Sequence, residues 1–153
     1  MFRKMRREDR QIDHDACIKI VTENNMGILS LNSVDEYPYG VPINYMYRDG
    51  YLYFHCAKEG KKIELLSQSS KACFIIVGKS EVIPEKFTNK YQSVMIFADI
   101  EIISDNKLKY DILMEFGRSF DFKAAGLEQY VANNIDACLV LKLDTKHMSG
   151  KMR

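Results

Sequence analysis

Two adjacent lysines, Lys61 and Lys62, stand where the residue pattern passes from strand to helix. A helix start carries unpaired N–H groups and partial positive charge, so cations there are misplaced by roughly 0.3–1 kcal/mol each. The placement makes sense if an anion, such as a phosphate, sits between the helix end and the lysines. The plainer alternative is that both are solvated surface residues whose charge Glu59 offsets.

The elements that must position this pair lie just before it, in the stretch Tyr37 to Lys62, YPYGVPINYMYRDGYLYFHCAKEGKK. From Val41 to Tyr47 the residues alternate, with Val41, Ile43, Tyr45 and Tyr47 on one face and Pro42, Asn44 and Met46 on the other. Arg48-Asp49-Gly50 reads as a tight hairpin turn, since Asp-Gly supplies the positive-φ positions such a turn needs. The return arm, Tyr51 to Cys56, sends Leu52, Phe54 and Cys56 one way and Tyr51, Tyr53 and His55 the other. A helix then starts across Ala57 to Lys62 and continues through Ile63, Leu65 and Leu66, ending near Gln68 to Ser70.

Elsewhere, Asp13 is placed to cap a helix from His14 to about Asn24, with Ile12, Ala16, Cys17, Ile20 and Val21 on one stripe. Met26 to Leu31 reads as a strand and Asn32 to Glu36 as its turn. Ala72 to Val77 is apolar on both faces, the mark of a buried central strand. Gly78 to Gln92 reads as a loop, and Ser93 to Ile103 as a long strand with Val94, Ile96, Ala98, Ile100 and Ile102 on one face. Ser104 or Asp105 opens a helix carrying Leu108, Ile112, Leu113 and Phe116. A second helical pattern follows from about Ala124 to Asn133, separated by a break near Phe120 to Lys123. Ala137 to Leu143 alternates as a last strand before a polar, basic tail. Short turns between strands favour an antiparallel sheet or small barrel with flanking helices over a doubly wound parallel sheet.

The bulk properties set the limits. One domain accommodates 153 residues, of which 46% are hydrophobic and 28% charged. Lys and Arg number 22 against 21 Asp and Glu, a net charge of +1, which argues against nucleic acid as the main partner. No apolar run is long enough to span a bilayer, and the basic start MFRKMRREDRQ lacks the apolar stretch of a secretory signal, so a cytoplasmic location is expected. Cys17, Cys56, Cys73 and Cys138 form no C-x-x-C pair, and His14, His55 and His147 have no metal-ligand spacing; neither a disulfide nor a metal site is expected. Dinucleotide and nucleotide phosphate loops and the G-x-S-x-G elbow are also missing.

The words YPYGVPINY, YFHCAKEGKK and KYQSVMIF, taken with the order of elements, resemble the flavin-binding split barrels of the pyridoxamine 5′-phosphate oxidase type, specifically their 5-nitroimidazole-resistance branch. The resemblance runs from MRREDR to the closing SGK. It implies a mainly β (α+β) fold, a six-stranded antiparallel split β-barrel with flanking helices, as one domain over residues 1–153. It also implies a homodimer holding FMN in two clefts between subunits, with the reduced flavin passing electrons to a small molecule such as a nitroimidazole or other nitroaromatic.

Residue by residue, the oxidases' basic groups on the strand that opens the site fall on Tyr39 and Asn44, so both are missing here. Val41, Pro42, Ile43 and Asn44 would line the isoalloxazine ring, largely through backbone groups. His55-Cys56, followed by Ala57, takes the place of Tyr-Thr. Gly60-Lys61-Lys62 takes the place of the Ser-Arg-Lys that grips the flavin phosphate, and Ser93 that of a flavin-contacting glutamine. Ala98-Asp99 stands where the branch often carries Gly-Lys. The implied cofactor-binding set is therefore Tyr39, Val41, Pro42, Ile43, Asn44, His55, Cys56, Ala57, Gly60, Lys61, Lys62 and Ser93. His55 is the candidate catalytic acid, the alternative being a simple cofactor contact.

Three activities compete. The first is FMN-dependent reduction of small molecules. The second is flavin or haem binding without turnover, with a histidine as axial ligand. Oxidation of pyridoxamine phosphate is the third; the missing basic residues at Tyr39 and Asn44, and a tail whose one arginine is Arg153, argue against it.

Overall fold

A computed structural model describes residues 2–33, 37–120 and 124–153. Eight strands form one antiparallel sheet: β1 (Gln11–Ile12), β2 (Met26–Leu31), β3 (Tyr39–Asn44), β4 (Met46–Arg48), β5 (Tyr51–Ala57), β6 (Lys71–Ile83), β7 (Thr88–Ile102) and β8 (Cys138–Met152). Four helices accompany them: α1 (His14–Glu23), α2 (Lys61–Gln68), α3 (Asn106–Ser119) and α4 (Ala124–Asn134). The strand order is β3-β2-β6-β7-β8-β5-β4, with β1 added along β8.

The two ends of that order, β3 and β4, are halves of one chain segment interrupted at Tyr45. Tyr45 is buried, donates its backbone N–H to the Asn25 carbonyl at 2.9 Å, and donates its hydroxyl to the Val21 carbonyl at 2.7 Å. The sheet therefore curls until its terminal strands are joined by the chain rather than by hydrogen bonds, which is a split barrel. Six strands were expected and eight are present among the described residues. The expected arm Val41 to Tyr47 is broken in two at Tyr45, and β1 adds a two-residue pairing at Gln11↔Lys151 and Ile12↔Gly150.

Alternation decides what lies inside. Leu29, Leu31, Leu52, Phe54, Phe74, Ile76, Val94, Ile96, Leu141 and Leu143 fill one core, against which Tyr39, Val41, Ile43, Tyr47 and Cys56 pack. Helix α1 adds Cys17, Ile20 and Val21 to this core, and α2 adds Leu65. The opposite face of the hairpin, with Met46 and Tyr53, meets Ile112 and Phe116 of α3 in a second cluster. Both expected caps are in place: Asp13 accepts from Ala16 N–H at 2.8 Å and Asp105 from Leu108 N–H at 2.6 Å. In the hairpin turn Asp49 (φ 50°) and Gly50 (φ 85°) both take positive φ, as the Asp-Gly signature requires.

Four expectations need correction. Gly78 to Gln92 is mostly strand: β6 and β7 pair out to Ile83↔Thr88, past an irregularity between Val77 and Ser80. Its charged residues sit in an exposed ladder that backbone bonds hold away from the core, so no regular hydrophobic pattern marks it. The tail is also strand, because β8 runs to Met152 with Met148 against the core and polar residues outward. β6 is central in the sheet but buried on one face, since Val77 is 58% exposed. Ile102, expected inward, is 46% exposed near the end of β7. The expected turn at Asn32 to Glu36 and the break at Phe120 to Lys123 lie partly outside the described residues.

Candidate functional site

Strand β5 ends at Ala57, and a short turn through Lys58 and Glu59 leads to Gly60, the residue that caps α2. The helix thus starts at Lys61, not at Ala57. Gly60 has φ 106° and ψ 170°, a region essentially restricted to glycine, and no side chain caps the helix. Nothing lies within 4 Å of the position a Cβ would take there. Glycine is therefore required by the backbone angle rather than by crowding. The Gly60 carbonyl accepts from Ile63 N–H at 2.9 Å and Glu64 N–H at 3.2 Å, which tightens the first turn. That turn carries Lys61 and Lys62, both half-buried, together with Glu64.

Lys62 acts on two neighbours from β5. Burial pushes the His55 imidazole below its ordinary range, and the Lys62 charge pushes it the same way. His55 is exposed by area, yet its ring stands edge-on to Phe116 with centroids 4.8 Å apart at 83°. Phe116 in turn stacks on Phe120 at 5.3 Å. Burial pushes the Cys56 thiol up; Lys62 opposes this and Cys138 adds to it. At neutral pH the group is thus a neutral imidazole and a protonated thiol beside a cation.

On β3 the expected residues divide by face. Tyr39, Val41 and Ile43 turn their side chains to the core. Pro42 is exposed on the outer face, and Asn44, half-buried there, donates Nδ2–H to the Asn25 carbonyl at 3.2 Å. As a terminal strand, β3 has one side of its backbone without a strand partner. The bond from Tyr45 N–H to the Asn25 carbonyl sets the alternation, so Val41 and Ile43 bond toward β2 and the backbone groups of Gly40, Pro42 and Asn44 face the open side. Proline is tolerated on such a strand because no ladder bond is lost.

Ser93 is elsewhere. It pairs with Val77 and with Lys151 near the end of β8, whereas Ala57 pairs with Cys138 at its beginning. Nearly the whole of β8, roughly 40 Å of extended strand, separates Ser93 from the α2 end. One chain therefore gathers His55, Cys56, Ala57, Gly60, Lys61 and Lys62 and leaves Ser93 at the far end, in the same row as Asn44.

Sequence reasoning missed three neighbours of this site. Phe116 and Cys138 fall in patterns that read as ordinary helix and strand core. Lys109, buried on α3, donates its Nζ to the Cys138 carbonyl at 2.7 Å, and a lysine among apolar helix positions was its available signal. Two concavities of about 300 and 390 Å³ lie near α3 and at the Tyr45 joint; none of the expected site residues line them.

With this geometry in view, the family model for pyridoxamine 5′-phosphate oxidase matches residues 13–152. The chain belongs to the pyridoxamine 5′-phosphate oxidase family. A candidate 5-nitroimidazole antibiotic resistance protein from Bacteroides thetaiotaomicron superposes with a TM-score of 0.75 at 24% identity, over 93% of this chain and 86% of that one. A FAD-binding protein from Mesorhizobium loti gives 0.67 at 22%, over 94% and 97%. A flavocytochrome from Azotobacter vinelandii gives 0.76 at 19%, over 98% and 72%. At such identities the likeness carries the fold. No protein of curated function matches the sequence significantly. Among the described residues no helix is long and apolar enough to cross a membrane, and no cluster of His, Cys, Asp and Glu could hold a metal ion.

Proposed function

We propose that this family member binds FMN as a homodimer and reduces small molecules of the nitroaromatic class, nitroimidazoles among them. The observation that carries the reading is the start of α2: a glycine-only cap with no capping side chain and two half-buried lysines in the first turn. Helix amides and the two ammonium groups suit a phosphate dianion through charge-assisted bonds. Backbone groups of Pro42 and Asn44, on the open side of β3, would face the ring, with Val41 and Ile43 packed behind them. When bound, the flavin supplies the electron transfer; the protein's part is to position it and to exclude water. His55, neutral and lying against Phe116, would hold the substrate or ring by a hydrogen bond rather than act as a strong acid.

Dimerisation draws support from the outer face. Across it run the outward residues Pro42, Ile28, Ile75 and Met95, with Met26 and Val77 alongside. Met26 is 55% exposed, Ile28 41% and Met95 39%, a contiguous apolar surface of the kind that marks an interface. Oxidation of pyridoxamine phosphate is disfavoured because Tyr39, which faces the core, and Asn44, which donates to the Asn25 carbonyl, stand where the oxidases carry basic groups. A second reading, flavin or haem binding without turnover, is favoured by the neutral imidazole of His55, the form that ligates a metal.

The test is an absorption spectrum before and after FMN is added, for the wild type and for Lys61→Ala/Lys62→Ala, followed by a nitroaromatic and a reductant. Flavin uptake that the double variant loses, with nitro reduction, is the expected result. Uptake without turnover across several nitroaromatics would favour the binding protein, and a haem Soret band without flavin uptake would overturn the proposal.

A further inference from the structure

Beyond the body of the sheet, β6 and β7 continue as a two-stranded arm from Ser80↔Tyr91 to Ile83↔Thr88. Its turn, Pro84–Lys86, is closed by Phe87 in the left-handed region, φ 47° and ψ 44°. Asparagine or glycine takes that conformation readily, whereas a bulky aromatic there is an outlier. The same Phe87 is 98% exposed, and Val82 on the arm is 72% exposed. Two unfavourable features thus meet in one residue, whose N–H donates to the Pro84 carbonyl at 3.1 Å while its ring stands in solvent.

The arm cannot serve its own phosphate site. The site follows Ala57, which pairs with Cys138 at the start of β8, whereas the arm begins past Gln92↔Met152 at its end, a run of roughly 40 Å in an extended strand. Val82 pairs with Asn89 on the side that carries Val77, Ser93 and Met95, so the arm prolongs the outer apolar face. Two-fold pairing of such faces is self-complementary. If the strands of two copies run opposed, each arm lies over the other copy's α2 end. The same pairing brings Ser93 of one copy toward Lys61 and Lys62 of the other.

We propose that the arm of one copy crosses onto a second copy of this chain, where Phe87 walls the flavin slot that begins at that copy's Lys61 and Lys62. The content of the slot rests on the flavin reading above; the crossing does not. The left-handed turn is then what presents the ring to the second copy.

Phe87→Asn suits the backbone, so its thermal midpoint is expected to equal or exceed the wild type's. FMN affinity should fall at least about tenfold, as for loss of an aromatic anchor. Mixed dimers of Phe87→Asn with Lys61→Ala/Lys62→Ala decide where the arm acts. A crossing arm restores one site of wild-type affinity per dimer, because the lysine variant lends its intact arm to the other copy's intact lysines. No recovery, or wild-type affinity in Phe87→Asn alone, overturns the proposal. If the wild type takes up no FMN, the flavin reading fails and sedimentation reads the crossing instead. Phe87→Asn should then weaken the dimer at least about tenfold, and unchanged dimerisation overturns the crossing.

Discussion

At His55 two effects act in one direction, since burial and the Lys62 ammonium both disfavour the imidazolium. In the unfolded chain the group titrates at about 6.5. Below that pH the unfolded chain binds a proton that the folded chain resists, so stability is full above about pH 6.5 and declines as pH falls toward the lower folded value. Urea midpoints from about pH 5.5 to 7.5 should show this decline. His55→Gln should flatten it; an unchanged slope in that variant would assign it to another group. The same residue marks how far a sequence can be read. Alternation along Tyr51 to Cys56 placed His55 on the face opposite Leu52 and Phe54, as found. Its partner Phe116, more than fifty positions away on another element, was legible as helix core but not as the wall beside an imidazole.

At the scale of elements, α2 depends on one backbone conformation. Gly60→Ala meets no steric neighbour, so its effect isolates the φ of 106°. A cost of roughly 1–3 kcal/mol is expected in chemical denaturation, with weaker FMN binding if the cap shifts to relieve it. A variant as stable as wild type and with equal FMN affinity would mean that the cap is not fixed by this angle. Caps, the Asp-Gly turn and the core stripes were legible because each leaves a local chemical mark. The arm was not. Lys79, Glu81, Lys86 and Lys90 break any alternation, and the ladder is held by backbone bonds that every residue type can make. The break at Tyr45 was hidden for the opposite reason: the alternation continues through it, while the pairing partner changes from β2 to β5.

For the whole molecule, the outer face is the feature on which assembly turns. Met95→Glu lies on the exposed side of a central strand, so the fold should tolerate it while a charge enters the middle of the proposed interface. Sedimentation should show the wild type as a dimer and this variant as a monomer with a nearly unchanged melting temperature; a dimeric variant would move the interface elsewhere. The site residues were individually legible, but their distribution was not. Resemblance supplies Ser93 and Lys61 as members of one site, and the register of β7 on β8 sets them at opposite ends of the chain's sheet.

Strand β8 enters last of the eight in sequence, yet it is central in space: it pairs with β7 on one side and with both β5 and β1 on the other. Leu52 waits for Leu143, and Ile12 for Gly150. During synthesis the chain therefore carries two sheet fragments with unpaired edges until β8 has left the ribosome. Such long-range closure makes folding slow and leaves a window in which those edges can pair with other chains. A ribosome stalled before residue 138 would hold a chain with its core divided, the state in which a chaperone finds its substrate.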